Sequence, residues 1–210
     1  VTLRFISFEG IDGAGKSTQI AAARVWLECR GFEVVVTREP GGTPLGERLR
    51  ELILQQSMAP DTEALLINAA RAEHLATVIR PALERGAWVL CDRFADSTLA
   101  YQGYAKGGDL AQLRRLQREV VGSTLPRRTY LFDLSVSDAA ARRAAGREQA
   151  ESDKFERAGA RFQERVRLGF QALAAAEPGR FMVLDAGLPP ATIQAQIETD
   201  LALFHAQVVI

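Results

Sequence analysis

The chain has 210 residues, 47% of them hydrophobic, with 26 basic and 26 acidic side chains and a formal net charge of zero. That size suits one α/β domain with a sizeable core, and the composition excludes an intrinsically disordered chain. The charge balance argues against a general nucleic-acid or membrane-surface binder, and no apolar run is long enough to span a bilayer.

In chain order, Leu3 to Phe8 reads as a buried strand. It runs into Gly10-Ile11-Asp12-Gly13-Ala14-Gly15-Lys16-Ser17-Thr18, which contains the pattern G-x-x-x-x-G-K-S. Strand, glycine loop and helix together are the context in which this pattern cradles phosphates. Backbone N–H groups and the positive end of the helix then face the anion. Lys16 is expected to reach the β- and γ-phosphates and Ser17 to hold Mg²⁺. A helix follows over Ser17 to Arg30, with Ile20, Ala23 and Leu27 on one face, and Gly31 ends it. Glu33 to Thr37 is a second strand, followed by a loop over Glu39 to Pro44 and a helix over Leu45 to Leu54. Asp61 is the expected N-cap of a long helix reaching about Arg85, with a kink or break near Ile79-Arg80 caused by Pro81. Ala87 to Cys91 reads as a strand buried on both faces. Leu113, Leu116 and Val120 mark a helix, Tyr130 to Leu134 a strand, and Asp138 to Ala145 a helix. Residues 146–153 are polar and aperiodic, so they read as a loop. Phe155 to Ala176 is a long helix and Phe181 to Leu184 the last strand. Ile193, Ile197, Leu201 and Phe204 line the last helix.

Strands alternating with helices predict βαβ units and a parallel sheet, with ligands at the carboxyl ends of the strands. The residues at those ends are Glu9–Gly15, Arg38–Thr43, Asp92–Ser97, the segment after Leu134, and Asp185–Gly187. Arg38, directly after a strand, suits a second phosphate through its planar fork of donors. Asp92 ends an apolar strand, the arrangement that holds the Mg²⁺ shell in proteins with a phosphate loop, and Arg93 beside it can neutralise a transferring phosphate. Arg71 sits among small residues in Ala69-Ala70-Arg71-Ala72, which leave room for a ligand.

Other residues read more plainly. Cys29 and Cys91 are expected to be core cysteines of a reduced compartment. The N-terminal residues lack the order of a secretion signal. His74 and His205 are isolated and lack metal-ligand company, Arg114, Arg115 and Arg118 lie on a polar helix face, and Trp26 and Trp88 are expected to pack on the sheet.

The stretches F-E-G-I-D-G-A-G-K-S-T, T-R-E-P-G-G-T, A-A-R-A-E-H, D-R-F-A-D-S-T-L-A-Y-Q-G and D-K-F-E, in this order and spacing, resemble thymidylate kinases over nearly the whole chain. The resemblance implies an α/β P-loop nucleoside monophosphate kinase fold. Its five-stranded parallel sheet is flanked by helices in a single domain over 1–210, with a short lid at about 146–154. It implies transfer of the ATP γ-phosphoryl group to dTMP, giving dTDP and ADP for dTTP synthesis, with Mg²⁺. It further implies a homodimer in the cytoplasm, with no nucleic-acid or membrane partner. By the same resemblance, Gly10 to Thr18 hold the ATP phosphates and Asp12 sits between donor and acceptor. Arg38 and Arg93 clamp the dTMP phosphate. Arg71 reads the thymine edge, completed by Ser97, Thr98 or Gln102. Tyr101 packs where a 2′-hydroxyl would clash, and Asp185-Ala186 lie near the adenine. The arginine that arrives with ATP is expected on the lid, because Gly13 occupies the other family position for it. Arg147 is the first candidate and Arg143 the second.

Three residues or segments depart from the pattern. Ile67 stands where relatives commonly carry a phenylalanine stacked on thymine, Lys154 replaces an arginine, and the lid is longer than usual. A different P-loop small-molecule or nucleotide kinase is the alternative reading. A GTP switch would carry N-K-x-D, which the sequence lacks.

Overall fold

A computed structural model of the chain describes residues 4–146 and 154–208. The short apolar runs form five parallel strands: β1 (Phe5–Glu9), β2 (Val34–Arg38), β3 (Trp88–Asp92), β4 (Arg128–Asp133) and β5 (Phe181–Asp185). Their order is β2-β3-β1-β4-β5, so the chain goes from β1 to the outer strand β2, returns to place β3 between them, and then crosses to the other side of β1. That reversal leaves a crevice at the carboxyl end of β1. β1 is buried along its whole length, and Phe8 pairs in register with Asp92 on one side and Tyr130 on the other. A central strand covered on both faces needs apolar side chains pointing both ways, and F-I-S-F-E supplies them. Its one polar interior residue, Ser7, is matched by Thr129, the two hydroxyls lying 2.8 Å apart.

Helices cover both faces. They are α1 (Lys16–Glu28), α2 (Pro44–Gln55), α3 (Pro60–His74), α4 (Arg80–Glu84), α5 (Ala95–Thr98), α6 (Leu110–Val121), α7 (Val136–Gly146), α8 (Lys154–Arg157), α9 (Ala160–Ala176) and α10 (Pro190–Val208). α1 packs against α10, and α9 packs against the π-helical segment Leu99–Ala105 that continues α5. Phe5, Phe8, Trp88, Phe94 and Phe132 are fully buried. Each such side chain contributes roughly 1.5–3 kcal/mol relative to exposure.

The structure corrects several expectations. Asp61 is not an N-cap: α3 begins one residue earlier at Pro60, whose missing N–H and fixed φ suit the first helical turn. The irregularity ahead of Pro81 is a π-helical turn over Leu75–Ile79, with the Arg80 N–H bonding the Leu75 carbonyl. The segment after β3 is helical through Ala105, where the sequence reading placed no element. The long helix from Phe155 is interrupted at Gly159, between α8 and α9. Cys91 is buried as expected, but Cys29 is exposed. It caps α1 away from the inward face carrying Ile20, Ala23 and Leu27. Among the described residues no helix is long and apolar enough to cross a membrane.

Candidate active site

The carboxyl ends of β1, β2 and β3 converge on the loop between β1 and α1. Gly13 adopts φ +89°, and a Cβ there would lie 2.5 Å from the Ala139 carbonyl oxygen, so only glycine lets α7 pack against the loop. Ile11 and Ala14 turn into the core, so the loop presents its backbone rather than these side chains. Lys16 is buried, and its Nζ donates to the carbonyls of Gly10 and Ile11, both at 3.2 Å. Burial and Arg93 lower its pKa, while Asp92 and Asp12 oppose them.

Arg93 is the organising cation. Its φ of +66° is the single left-handed non-glycine conformation among the described residues. This turn aims the guanidinium back across the crevice. Nη2 donates to Asp12 Oδ1 at 2.7 Å, Nη1 to Ser97 Oγ at 3.3 Å, and the group lies 5.1 Å from the Tyr101 ring centre. Burial opposes ionisation of Asp12, but Arg93 and Lys16 outweigh it and hold the carboxyl well below its usual range. The backbone behind Arg93 is fastened by Glu9, which accepts from Phe94 N at 2.7 Å and from Ser97 Oγ at 2.6 Å. Burial, together with Asp96, pushes the Glu9 carboxyl up to about 8.

Arg71 is 1% exposed and enclosed by acceptors. Nε donates to Glu39 Oε2 at 2.7 Å, Nη1 to Asn68 Oδ1 at 3.2 Å, and Nη2 to Thr98 Oγ1 and the Phe94 carbonyl at 3.0 and 3.3 Å. These use four of its five N–H donors, leaving one on Nη1 for the cavity that Arg71 lines.

Two adjoining clefts result. One, open to solvent, is lined by Arg71, Ile67, Phe94, Tyr101 and Phe155 among others, and by Asp12 and Arg93. The second is basic, lined by Lys16, Ser17, Arg38, Asp92, Arg142 and Arg143 among others, and it shares Asp12 and Arg93. An apolar-walled cavity that meets a cationic phosphate cradle at Asp12, Glu39, Arg50 and Arg93 can hold two nucleotides phosphate to phosphate.

A family model described as thymidylate kinase matches residues 8–197. The chain belongs to the thymidylate kinase family. Among similar curated proteins is a thymidylate kinase of Ralstonia nicotianae (strain ATCC BAA-1114 / GMI1000), 52% identical over 96% of this chain and 99% of its own length. One of Methylobacillus flagellatus is 50% identical, with 97% and 98% covered. A crystal structure of thymidylate kinase from Ehrlichia chaffeensis superposes with a TM-score of 0.75 at 34% identity, covering 94% of this chain and 97% of that one.

In this chain Asp12, Ile67, Arg71, Arg93, Ser97, Thr98, Tyr101 and Gln102, expected around the acceptor, all line the first cleft. Arg38 does not; it faces the second, where its Nη2 donates to Glu47 Oε2 at 2.7 Å. Of the two lid-side arginines, Arg143 reaches the P-loop, its Nη1 donating to the Asp12 carbonyl, while Arg147 lies outside the described residues. Most of the lid expected at 146–154 lies there too. Lys154, in the arginine's place, donates to Glu63, a buried carboxylate that also accepts from Lys106 and Gln102. The sequence reading assigned no role to Glu9, Glu39, His74, Arg50 or Phe155. Glu9 and Glu39 stood in the strand-end turns it singled out. His74 was set aside as isolated, yet it is fully buried against Glu39 and Thr37.

Proposed function

We propose that this chain transfers the γ-phosphoryl group of ATP to dTMP, giving dTDP and ADP on the way to dTTP. The observation that carries this reading is the pair of clefts meeting at Asp12 and Arg93, one walled for a base and sugar and the other lined by the P-loop.

In this reading Gly10 to Thr18 bind the ATP phosphates and Lys16 neutralises the β- and γ-oxygens. Arg71 offers its remaining N–H to the thymine edge, with Ile67 supplying an apolar contact. Ser97, Thr98 and Gln102 complete the polar lining, and Tyr101 sits against the deoxyribose. Arg38 and Arg93 clamp the dTMP phosphate, whose oxygen is the nucleophile, so no side chain needs to attack. Asp12, kept ionised by Arg93 and Lys16, fixes Arg93 between the two phosphates. Catalysis is then in-line positioning plus stabilisation of charge on the equatorial oxygens, completed by a lid arginine.

Mg²⁺ fits the same reading. Asp92 Oδ1 is buried with no hydrogen-bond partner among the described residues, and it borders the same cleft as the Ser17 hydroxyl. When bound there, Mg²⁺ would neutralise and orient the phosphates of ATP.

A homodimer and a cytoplasmic setting are part of the proposal. The exposed Leu45 and Leu52 of α2 and Leu65 of α3 offer apolar surface to a second copy, and both cysteines are free. Sedimentation equilibrium tests the dimer. A coupled ADP-release assay with ATP-Mg²⁺ and each nucleoside monophosphate tests the reaction. Preference for dTMP over dUMP, dCMP and the ribose form supports it; turnover with another acceptor would overturn the pocket assignment.

A further inference from the structure

His74 connects the two ends of the acceptor site. It is the last residue of α3 and is wholly inaccessible to solvent. A carboxylate can only accept, so Nδ1 directs its proton to Glu39 Oε1, 3.0 Å away. The other Glu39 oxygen takes the Arg71 Nε–H at 2.7 Å. On the opposite edge of the ring, Nε2 shares a hydrogen bond of 2.7 Å with the Thr37 hydroxyl. Thr37 and Glu39 flank Arg38, and alternation along extended chain sends their side chains one way and that of Arg38 the other. The imidazole thus grips the chain on both sides of Arg38 while steadying the partner of Arg71.

The loop is shaped to admit the ring. Gly42 has φ +78°, and a Cβ there would lie 2.6 Å from both His74 Nε2 and Thr37 Oγ1. The Gly42 N–H donates to Glu47 Oε1 at 2.9 Å, and the other Glu47 oxygen holds Arg38. The loop after β2 is therefore wound around His74 and closed on Arg38.

We propose that His74 is a positioning residue for the acceptor nucleotide, fixing through Glu39 and Thr37 the separation between Arg71 at the base and Arg38 at the phosphate. This inference rests on the acceptor-site reading above. Misplacing one end relative to the other weakens acceptor binding while leaving the ATP cradle intact.

The test is steady-state kinetics on the full-length enzyme with dTMP and dCMP for Thr37→Val, His74→Ala and His74→Asn, with Arg71→Ala as a reference and thermal melting as a folding check. Thr37→Val removes only the hydroxyl at nearly constant volume, so it reports even where His74→Ala fails to fold. Thr37→Val and His74→Ala are expected to raise the dTMP KM about ten-fold, with kcat and the ATP KM changed much less. His74→Asn, whose amide can replace the Nδ1 donor to Glu39, is expected to recover the preference for dTMP over dCMP. An unchanged dTMP KM in folded Thr37→Val, with Arg71→Ala impaired, overturns the inference. So does an equal loss in kcat and both KM values, which marks a merely structural role. An unchanged dTMP KM in Arg71→Ala overturns the acceptor-site reading itself.

Discussion

Glu9 gives the most quantitative prediction. Its carboxyl is fully buried at the end of β1, beside Asp96 and within reach of Arg93 and Lys16. Burial and Asp96 raise its pKa from 4.5 to about 8. Below 4.5 the group is protonated both folded and unfolded and costs nothing. As pH rises above 4.5 the unfolded chain releases the proton while the folded chain keeps it, so stability falls. The fall levels off above about 8, where the folded form ionises too. At about 1.4 kcal/mol per unit, the full effect is on the order of 5 kcal/mol, and the part between pH 6 and pH 9 is about 2.5 kcal/mol. Glu9→Gln removes the titration yet keeps an acceptor for Phe94 N–H. Urea unfolding of both proteins at pH 6 and pH 9, at one protein concentration, reports Glu9 together with its coupling to Asp96, while distant titrating groups cancel. The wild type is expected to lose about 2.5 kcal/mol relative to Glu9→Gln over that range. Parallel pH profiles for the two proteins would refute the reasoning.

Lys16→Ala is expected to abolish phosphoryl transfer by removing the charge on the β- and γ-phosphates; near-normal turnover in the ADP-release assay would rule out the P-loop assignment. Arg147→Ala is expected to lower kcat on the order of 100-fold or more with nucleotide KM values little changed, as for an arginine acting in the transition state. If Arg143→Ala does this instead, the role belongs to the end of α7. Asp92→Asn is expected to raise the Mg²⁺ concentration for half-maximal rate about ten-fold or more, read by metal titration at saturating nucleotides. An unchanged requirement would place the ion elsewhere.

The sheet and most of the site were legible because their signals are local. A strand buried on both faces must be apolar throughout, and Ala87 to Cys91 is. A glycine loop between strand and helix announces an anion, and strand ends in a parallel sheet face the ligand, so Asp12, Asp92 and Arg93 could be placed before any coordinates. The missed features depend on pairings distant in sequence. His74 is set in its role by Thr37 and Glu39, more than thirty residues away, and nothing in A-R-A-E-H marks it as buried. Phe155 lines the first cleft from α8, which Gly159 separates from α9, a break that the apolar periodicity of the segment does not signal. Asp61 misled because an acidic residue in the first turn of a helix suits the dipole as well as it suits the cap.

The two arginines proposed to bind the acceptor phosphate differ in how firmly they are held. Arg93 is tied to Asp12 in a partly buried pair, with its backbone turn fastened to β1 through Glu9. Separating such a pair leaves a poorly solvated charge, which costs several kcal/mol, so an incoming phosphate gains most by adding to Arg93 rather than by pulling it away. Arg38 is half exposed, and its two-bond pair with Glu47, through Nε and Nη2, stands at the upper end of a surface class worth about 0–1 kcal/mol. A phosphate dianion can therefore draw Arg38 off Glu47 at little cost, while the loop behind it stays wound on His74. The site thus presents one firmly held cation, Arg93, and one loosely held cation, Arg38, which in the proposed reading closes on the acceptor phosphate. The firm hold accounts for the left-handed strain at Arg93, and the loose one for the exposure of Arg38.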